Sequence, residues 1–578
     1  MKITSIELTN FKAIGETVVI PVKPITLIFG ANSTGKSSIL QCLAMLAQSV
    51  TMGKRDMSAS LFGKGILVDV GNYHNFIYKH DVTKHFACKF NFDMDVNQLF
   101  DYQLPYDEAG PLDVSLNEYA EKLKNILSFF KRTALSFDFG YDRSRKTIQL
   151  QEIGYFLDDT LVFLDNSVLG FQLNTGHIFW KMYWEVFSNE IYKNLYRPSG
   201  ARRRYLPDKN GQLVEQRHPQ EERIRFLLEE FPNPKSIIEV YSLLNPDEPF
   251  YRQLKKEEQQ GESELNLVIK LYSFECRVED GEFTLNWISH YSGFLPSKFA
   301  FLAPEQFLCA EFIKNMNDYA NVHSFHPGQL MVLVASYVES FLSSFTFLGP
   351  LRKTPERFYV LEDASRAAEN DNRHNVALML ANDHDLVKKV NLELEHLQTG
   401  YQIKIVELTN QDSEISGVFI LQFIDQKSGI AASIKDIGFG FSQILPVIAQ
   451  SVISDYSNVI IEQPELHLHP ALQAELGDMF IRGSLDKKSY LMKSYRNLFF
   501  IETHSEHLIL RLLRRIRENS EGELPENIPP ITPDDIAVLY VQPGNNGAQV
   551  IHIPVTSEGE FATSWPGGFF AERARELF

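Results

Sequence analysis

Four stretches of this chain hold residues whose types and spacing suit the binding and cleavage of a phosphate anhydride. In LIFGANSTGKSSIL (27–40), Gly30, Gly35, Lys36 and Ser37 fit the spacing GxxxxGK[ST] between an apolar strand and a helix. The loop's backbone N–H groups, from Gly30 through Asn32, Ser33 and Thr34 to Ser38, would cradle the phosphates of ATP. Lys36 would reach the β and γ oxygens, and Ser37 would ligate Mg2+. A chance glycine-rich turn would lack the strand before it and the helix after it. In IIEQPELHLHP (460–470), an apolar run closes on Glu462, an acid placed to hold Mg2+ through water. Gln463 follows, where a hydrolase would keep its general base. A glutamine orients a water but cannot take its proton. Two readings stay open. Either Glu465 or His504 supplies the missing function, or hydrolysis is slow and ATP serves mainly to join two chains; the second is the expectation.

Two further stretches complete the set. DIGFGFSQILPVIAQ (436–450) opens an amphipathic helix with Gly438, Gly440, Ser442 and Gln443, whose N–H groups and hydroxyl would meet a γ-phosphate. LFFIETHSEHLILRLL (498–513) is an apolar strand that ends at Thr503, His504 and Ser505, where polar groups leaving a buried strand are placed to sense phosphate or water. Alone, His504 would be read as a core or capping histidine; the order of the four stretches argues for the site.

Positioning these residues takes an α/β fold, a P-loop ATPase head with a mixed sheet flanked by helices and a large α+β insertion. At 578 residues with 44% hydrophobic side chains, the chain can build several cores. Four units are expected: residues 1–85, the first lobe with the P-loop; 86–345, an insertion acting as lid or docking domain; 346–530, the second lobe; and 531–578, a small β-like tail. HFACKFNFDMD, TALSFDFGYD, LNLVIKLYSFECRVEDGEFTLNW and IAVLYVQPGNNGAQVIHIPV alternate as strands do, and 305–345 reads as helical. Cys42, Cys88, Cys276 and Cys309 are scattered, without a CxxC pair, and read as reduced core residues. The start alternates like a strand rather than a signal peptide, and no apolar run is long enough to span a bilayer, so a cytoplasmic protein without membrane partners is expected.

The order of these elements resembles ABC-type ATPases of the SMC and RecF kind. More closely, it resembles the bacterial ATPases related to the OLD proteins and to PtuA of the Septu anti-phage system, including PtuA-like subunits found beside retrons. The likeness covers about residues 1–80 and 345–578, and its most specific pieces are VDVGNYHNF (68–76), FLGPLRKTPERFY (347–359), IEQPELHLHP and WPGGFFAERARELF (565–578). It implies a head-to-tail dimer with the P-loop of one chain facing the signature helix of the other, the helix opened here by DIGFGFSQ (436–443). It also implies a separate HNH-type nuclease as partner, with a retron reverse transcriptase and its RNA/DNA as a further one.

OLD-type relatives append a metal-dependent nuclease built on a lone glutamate and a DxD pair. Here the fragment DHD (383–385) sits in a polar stretch without strand context, so nuclease activity is expected to reside in the partner. A net charge of −18 repels polyanions, and any nucleic acid would have to use a local patch. Two candidates are YRPSGARRRYLP, with Arg197, Arg202, Arg203 and Arg204, and RLLRRIR, with Arg511, Arg514, Arg515 and Arg517. Each reads equally as a solvated loop or an intramolecular ion-pair face. Arg352, Lys353 and Arg357 would link the insertion to the nucleotide site. Two functions compete: a nucleotide-switched subunit that restrains a nuclease in anti-phage defence, and a DNA repair or recombination ATPase acting directly on DNA. The acidic balance favours the first.

Overall fold

The computed structural model describes residues 1–53, 61–101, 114–166, 170–173, 177–179, 182, 204–207, 213–216, 288–292, 295–300, 328–350, 352, 356–360, 376–409, 415–453, 457–485 and 497–566. A six-stranded sheet runs in the order Phe345–Leu348, Asn458–Glu462, Leu498–Glu502, Ile25–Gly30, Ile536–Gly544 and Gly547–His552. Only the last strand pairs antiparallel. Its inner strands read as near-continuous apolar runs because both faces are covered. Ile28, Ile460, Phe500 and Leu539 enter one core, while their chain neighbours Leu27, Ile461, Ile501 and Val538 enter the other. That is the two-residue period of a strand.

The first core lies between this sheet, the helices Lys36–Gly53 and Gly328–Ser343, and a seven-stranded sheet. That second sheet runs Val18–Pro21, Lys2–Thr9, Phe86–Asp93, Arg132–Asp142, Thr147–Leu157, Thr160–Asn166 and Gly170–Leu173, antiparallel throughout. The second core gathers the helices His384–His396, Phe439–Val452, Pro470–Leu485 and Glu506–Glu521 with the small sheet of Tyr359–Val360, Ile415–Asp425, Tyr401–Thr409 and Ala431–Ser433. The α/β expectation with a mixed, helix-flanked sheet is met.

Strand patterning alone does not reveal strand partners. Phe86–Asp93 pairs with Lys2–Thr9, so one sheet continues across the expected division at 85/86. Ile536–Gly544, in the expected tail, lies directly beside the P-loop strand. The segment 265–287 lies outside the described residues, as does much of 305–345, of which Gly328–Ser343 is helical. Asp383 of DHD is a helix N-cap, accepting from the N–H groups of Asp385 and Leu386. Cys42 and Cys88 are buried free thiols. Among the described residues no helix is long and apolar enough to cross a membrane.

The basic helix Glu506–Glu521 turns two of its four arginines, Arg511 and Arg515, onto Pro470–Leu485. Arg515 grips Asp478 through two bonds, Nε–Oδ1 at 2.8 Å and Nη2–Oδ2 at 2.6 Å, and donates a third to Glu518 at 2.6 Å. Arg511 reaches Asp478 at 2.6 Å and Glu475 at 2.9 Å, and Arg514 reaches Glu518 at 2.6 Å. RLLRRIR is therefore largely an ion-pair face within the chain. Asp478 is only 2% exposed, so its removal would leave two arginines facing a buried gap. Asp478→Ala should cost about 3–5 kcal/mol of stability, read as a lowered midpoint in urea denaturation; an unchanged midpoint would mean the pairs are energetically idle.

Candidate phosphate and cation site

The loop between the strand Ile25–Gly30 and the helix Lys36–Gly53 takes its shape from residues in left-handed backbone: Gly30 at φ 147°, Ser33 at 63° and Gly35 at 105°. At Gly30 a side chain would also run into the Val541 carbonyl of the neighbouring strand. Such turns bring successive N–H groups into one anion-binding concavity at a helix N-terminus. Thr34 Oγ1 donates to the Ala31 carbonyl at 2.9 Å and closes the loop. Asn32 and Ser33 are open to solvent, while Thr34, Lys36 and Ser38 are buried. The Lys36 ammonium is drawn into the loop, donating to the Gly30 and Ala31 carbonyls at 3.1 and 2.8 Å. Burial lowers its pKa, against the opposing pull of Glu502 and Glu465.

Two glutamates end adjacent parallel strands in register, Glu462 opposite Glu502. The hydroxyl of Ser37 donates to Glu502 Oε2 at 2.7 Å, and Lys36 Nζ lies 3.8 Å from Glu502 Oε1. Glu462, expected to be the cation's acid, is 7% exposed, and its Oε1 is buried without a hydrogen-bond partner. Burial pushes its pKa up to about 7, helped by the negative charge of Glu502 and resisted by Lys12 and Arg352. A buried carboxylate oxygen lacking a donor is costly, and in a native site such an atom awaits a cation or water. The donor set fits Mg2+, which is held by one or two carboxylates together with substrate phosphates and water rather than by a protein cage. In keeping with that, no group of three or more metal-ligating side chains occurs among the described residues.

Past Glu462 the chain makes a strained exit. Gln463 sits at φ 45° and donates its N–H to the Glu502 carbonyl at 2.8 Å. Glu465, whose carboxyl burial raises in pKa, is fully engaged: Oε2 accepts from Thr503 Oγ1 at 2.9 Å and Oε1 from the His504 N–H at 2.7 Å. His504 is held neutral by burial and by Lys36, and its Nε2 is buried without a partner. Ser505 caps the next helix, accepting from the Leu508 N–H.

The signature stretch divides between surface and interior. Gly438 is exposed at the N-cap of the helix Phe439–Val452, with open space around it. Ser442 and Gln443 are buried, at 5% and 1% exposure, so their side chains face this chain's own interior. Gly440 abuts the exit loop of the strand Asn458–Glu462, whose apolar run and closing acid make it a Walker B strand; a Cβ there would lie 2.8 Å from the His467 carbonyl.

Three residues complete the site that the sequence did not assign to it. Glu502 is one. Arg352 is the second, with Nη2 on the Glu462 carbonyl at 3.1 Å and its own N–H on Gln443 Oε1 at 3.2 Å. Burial lowers its pKa to about 10, against the pull of Glu465 and Glu462, so it stays charged at neutral pH. Lys12 is the third; it donates to Gln41 of the P-loop helix at 2.6 Å and its charge bears on Glu462. Arg357 pairs with Asp436 at 3.5 Å, ahead of the signature helix. Lys353, Arg197, Arg202 and Arg203 lie outside the described residues, and Arg204 begins the short strand Arg204–Pro207.

A family model described as an AAA ATPase domain matches residues 1–261 and 360–509. Solved structures with similar coordinates include the Smc head domain with an extended coiled coil bound to the C-terminal domain of ScpA, from Pyrococcus furiosus, at 11% identity and TM-score 0.33, covering 100% of this chain and 98% of that one. The SMC head domain from Thermotoga maritima is 8% identical at TM-score 0.32, covering 96% and 100% respectively. No curated protein matches the chain. The fold and site described above rest on the chain's own geometry and on the family match.

Replacing Lys36 by alanine removes the cation that pairs with the β and γ oxygens of a bound triphosphate. Lys36→Ala should abolish ATP binding by calorimetry; wild-type affinity in this variant would remove the phosphate-site assignment.

Proposed function

The chain belongs to the AAA ATPase domain family, and on that premise we propose that it is an ATP·Mg2+-binding regulatory subunit that hydrolyses ATP slowly. In this reading two chains sandwich the nucleotide head to tail and restrain a separate HNH-type nuclease in anti-phage defence. The observation that carries it is the state of Gln463, at the base position, and of the two nearby groups that could replace it, Glu465 and His504. Gln463 cannot accept a proton. Glu465 has both oxygens committed to Thr503 and to the His504 N–H. His504 has an Nε2 without a partner, but burial and the charge of Lys36 lower its basicity.

Each residue then has a role. The loop N–H groups and Lys36 bind the phosphates, and Ser37 with Glu462 takes the cation, which neutralises charge on the β and γ oxygens when bound. Gln463 orients a water without activating it. His504 offers its unpartnered Nε2 towards a phosphate or that water. The bound state is long-lived, which suits a clamp on a partner better than a motor. Exposure of Gly438 at a helix N-terminus leaves backbone donors free to meet a second chain's nucleotide. The nuclease and, beside a retron, a reverse transcriptase with its nucleic acid enter through the resemblance of the IEQPELHLHP and WPGGFFAERARELF motifs. Direct action on DNA is the weaker reading, since Arg511, Arg514 and Arg515 are spent on internal pairs in a chain of net charge −18.

Loss of a positioned base typically costs about 10²–10⁴ in rate. Wild-type turnover should fall well below the ~1 per second of ordinary enzymes, and Gln463→Glu should raise it while weakening co-purification with the nuclease. Glu465→Gln should change turnover little. Brisk wild-type hydrolysis that Glu465→Gln destroys would make Glu465 the working base and end the clamp proposal.

A further inference from the structure

We propose that Glu502 is a second carboxylate of the cation position, so that the divalent ion is gripped from two neighbouring strands by Glu462 and Glu502, and that without nucleotide Glu502 guards the P-loop by occupying Ser37 and shadowing Lys36. The proposal rests on the ATP·Mg2+ reading above and deepens it.

Three observations converge. The hydroxyl expected to ligate the ion, that of Ser37, is bonded to Glu502 at 2.7 Å and not to the acid of the Walker B strand. Glu462, in register beside it and 93% buried by its 7% exposure, holds an oxygen with no hydrogen-bond partner. The third is charge. Two carboxylates, of which Glu502 is 5% exposed, share a poorly solvated space; Lys36 is engaged on loop carbonyls, and the charges of Lys12 and Arg352 bear on Glu462 but leave its Oε1 without a donor. A divalent ion between them would satisfy the orphan oxygen and relieve their mutual repulsion at once.

A consequence follows for the order of binding. A triphosphate entering without its metal would draw Lys36 towards itself and bring its own negative charge against Glu502. Glu502 therefore discriminates against metal-free ATP as well as holding the metal. A residue that merely caps Ser37 would do neither, and a purely structural one would leave both unchanged.

The test measures a fluorescent ATP analogue binding to the full chain in Mg2+ and in excess EDTA, together with Mn2+ binding by electron paramagnetic resonance in the presence of a non-hydrolysable analogue. Removal of a carboxylate supporting a metal site typically lowers metal affinity by about 10- to 100-fold. Glu502→Gln should lose Mn2+ affinity within that range and bind the nucleotide more tightly than wild type in EDTA, so that the gain from adding Mg2+ collapses. Glu502→Asp, which keeps the charge on a shorter arm and guards against a variant that fails to fold, should recover part of the Mn2+ affinity. Mn2+ affinity within twofold of wild type in Glu502→Gln, with Glu462→Gln alone abolishing it, would overturn the proposal in favour of a single acid. Failure of the underlying reading looks different: Lys36→Ala would then bind nucleotide like wild type in both conditions.

Discussion

The register of two parallel strands is the constraint on which this site depends. Because Asn458–Glu462 and Leu498–Glu502 pair residue for residue, their final side chains emerge side by side at the carboxyl edge of the sheet, next to the P-loop strand. Like charges so placed, with little water to screen them, interact far more strongly than on a surface. Much nearby geometry answers to that repulsion. Lys36 and Ser37 lean towards Glu502, Arg352 holds the Glu462 carbonyl, and the Gln463 N–H is tied to the carbonyl of Glu502. The strained backbone of Gln463 is thereby anchored to the strand next door. A slip of one residue in the register would turn one acid to the opposite face.

The parts of the site that were legible in the sequence are those made within a few consecutive residues. The P-loop declares itself because strand, glycines, lysine and helix are contiguous, and the segments NVIIE and LFFIE read as buried strands from their apolar runs. Glu502 escaped notice since an acid at a strand end looks ordinary until the strand beside it is known, although both runs close on the same residue type. The burial of Ser442 and Gln443 was equally hidden: the partner of Gln443, Arg352, lies 91 residues upstream. RLLRRIR was ambiguous for the same reason, its partner Asp478 standing 33 residues before Arg511. Long-range pairing decided each case, and no local pattern encodes it.

Arg352 and Arg357, close to each other in the chain, touch both halves of the nucleotide machinery. Arg352 meets the end of the Walker B strand and the signature helix, Arg357 meets Asp436 ahead of that helix, and Gly440 lets the helix press against the exit loop at His467. The nucleotide-site end of the expected link is thus made of hydrogen bonds and one close backbone approach. Arg352 and the close approach at Gly440 tie the signature helix to the loop that carries Gln463.

The pairing of Ile25–Gly30 with Leu498–Glu502 on one side and Ile536–Gly544 on the other also has a consequence for biosynthesis. The ribosome makes the P-loop strand long before its two neighbours. At translation rates of about 5–20 residues per second, a nascent chain carries an unpaired, largely apolar strand for roughly half a minute to a minute and a half before its partners emerge. During that interval it is a natural client for chaperones. A translation product that stops before residue 498 lacks both the acid pair and the completed sheet that the site is built on.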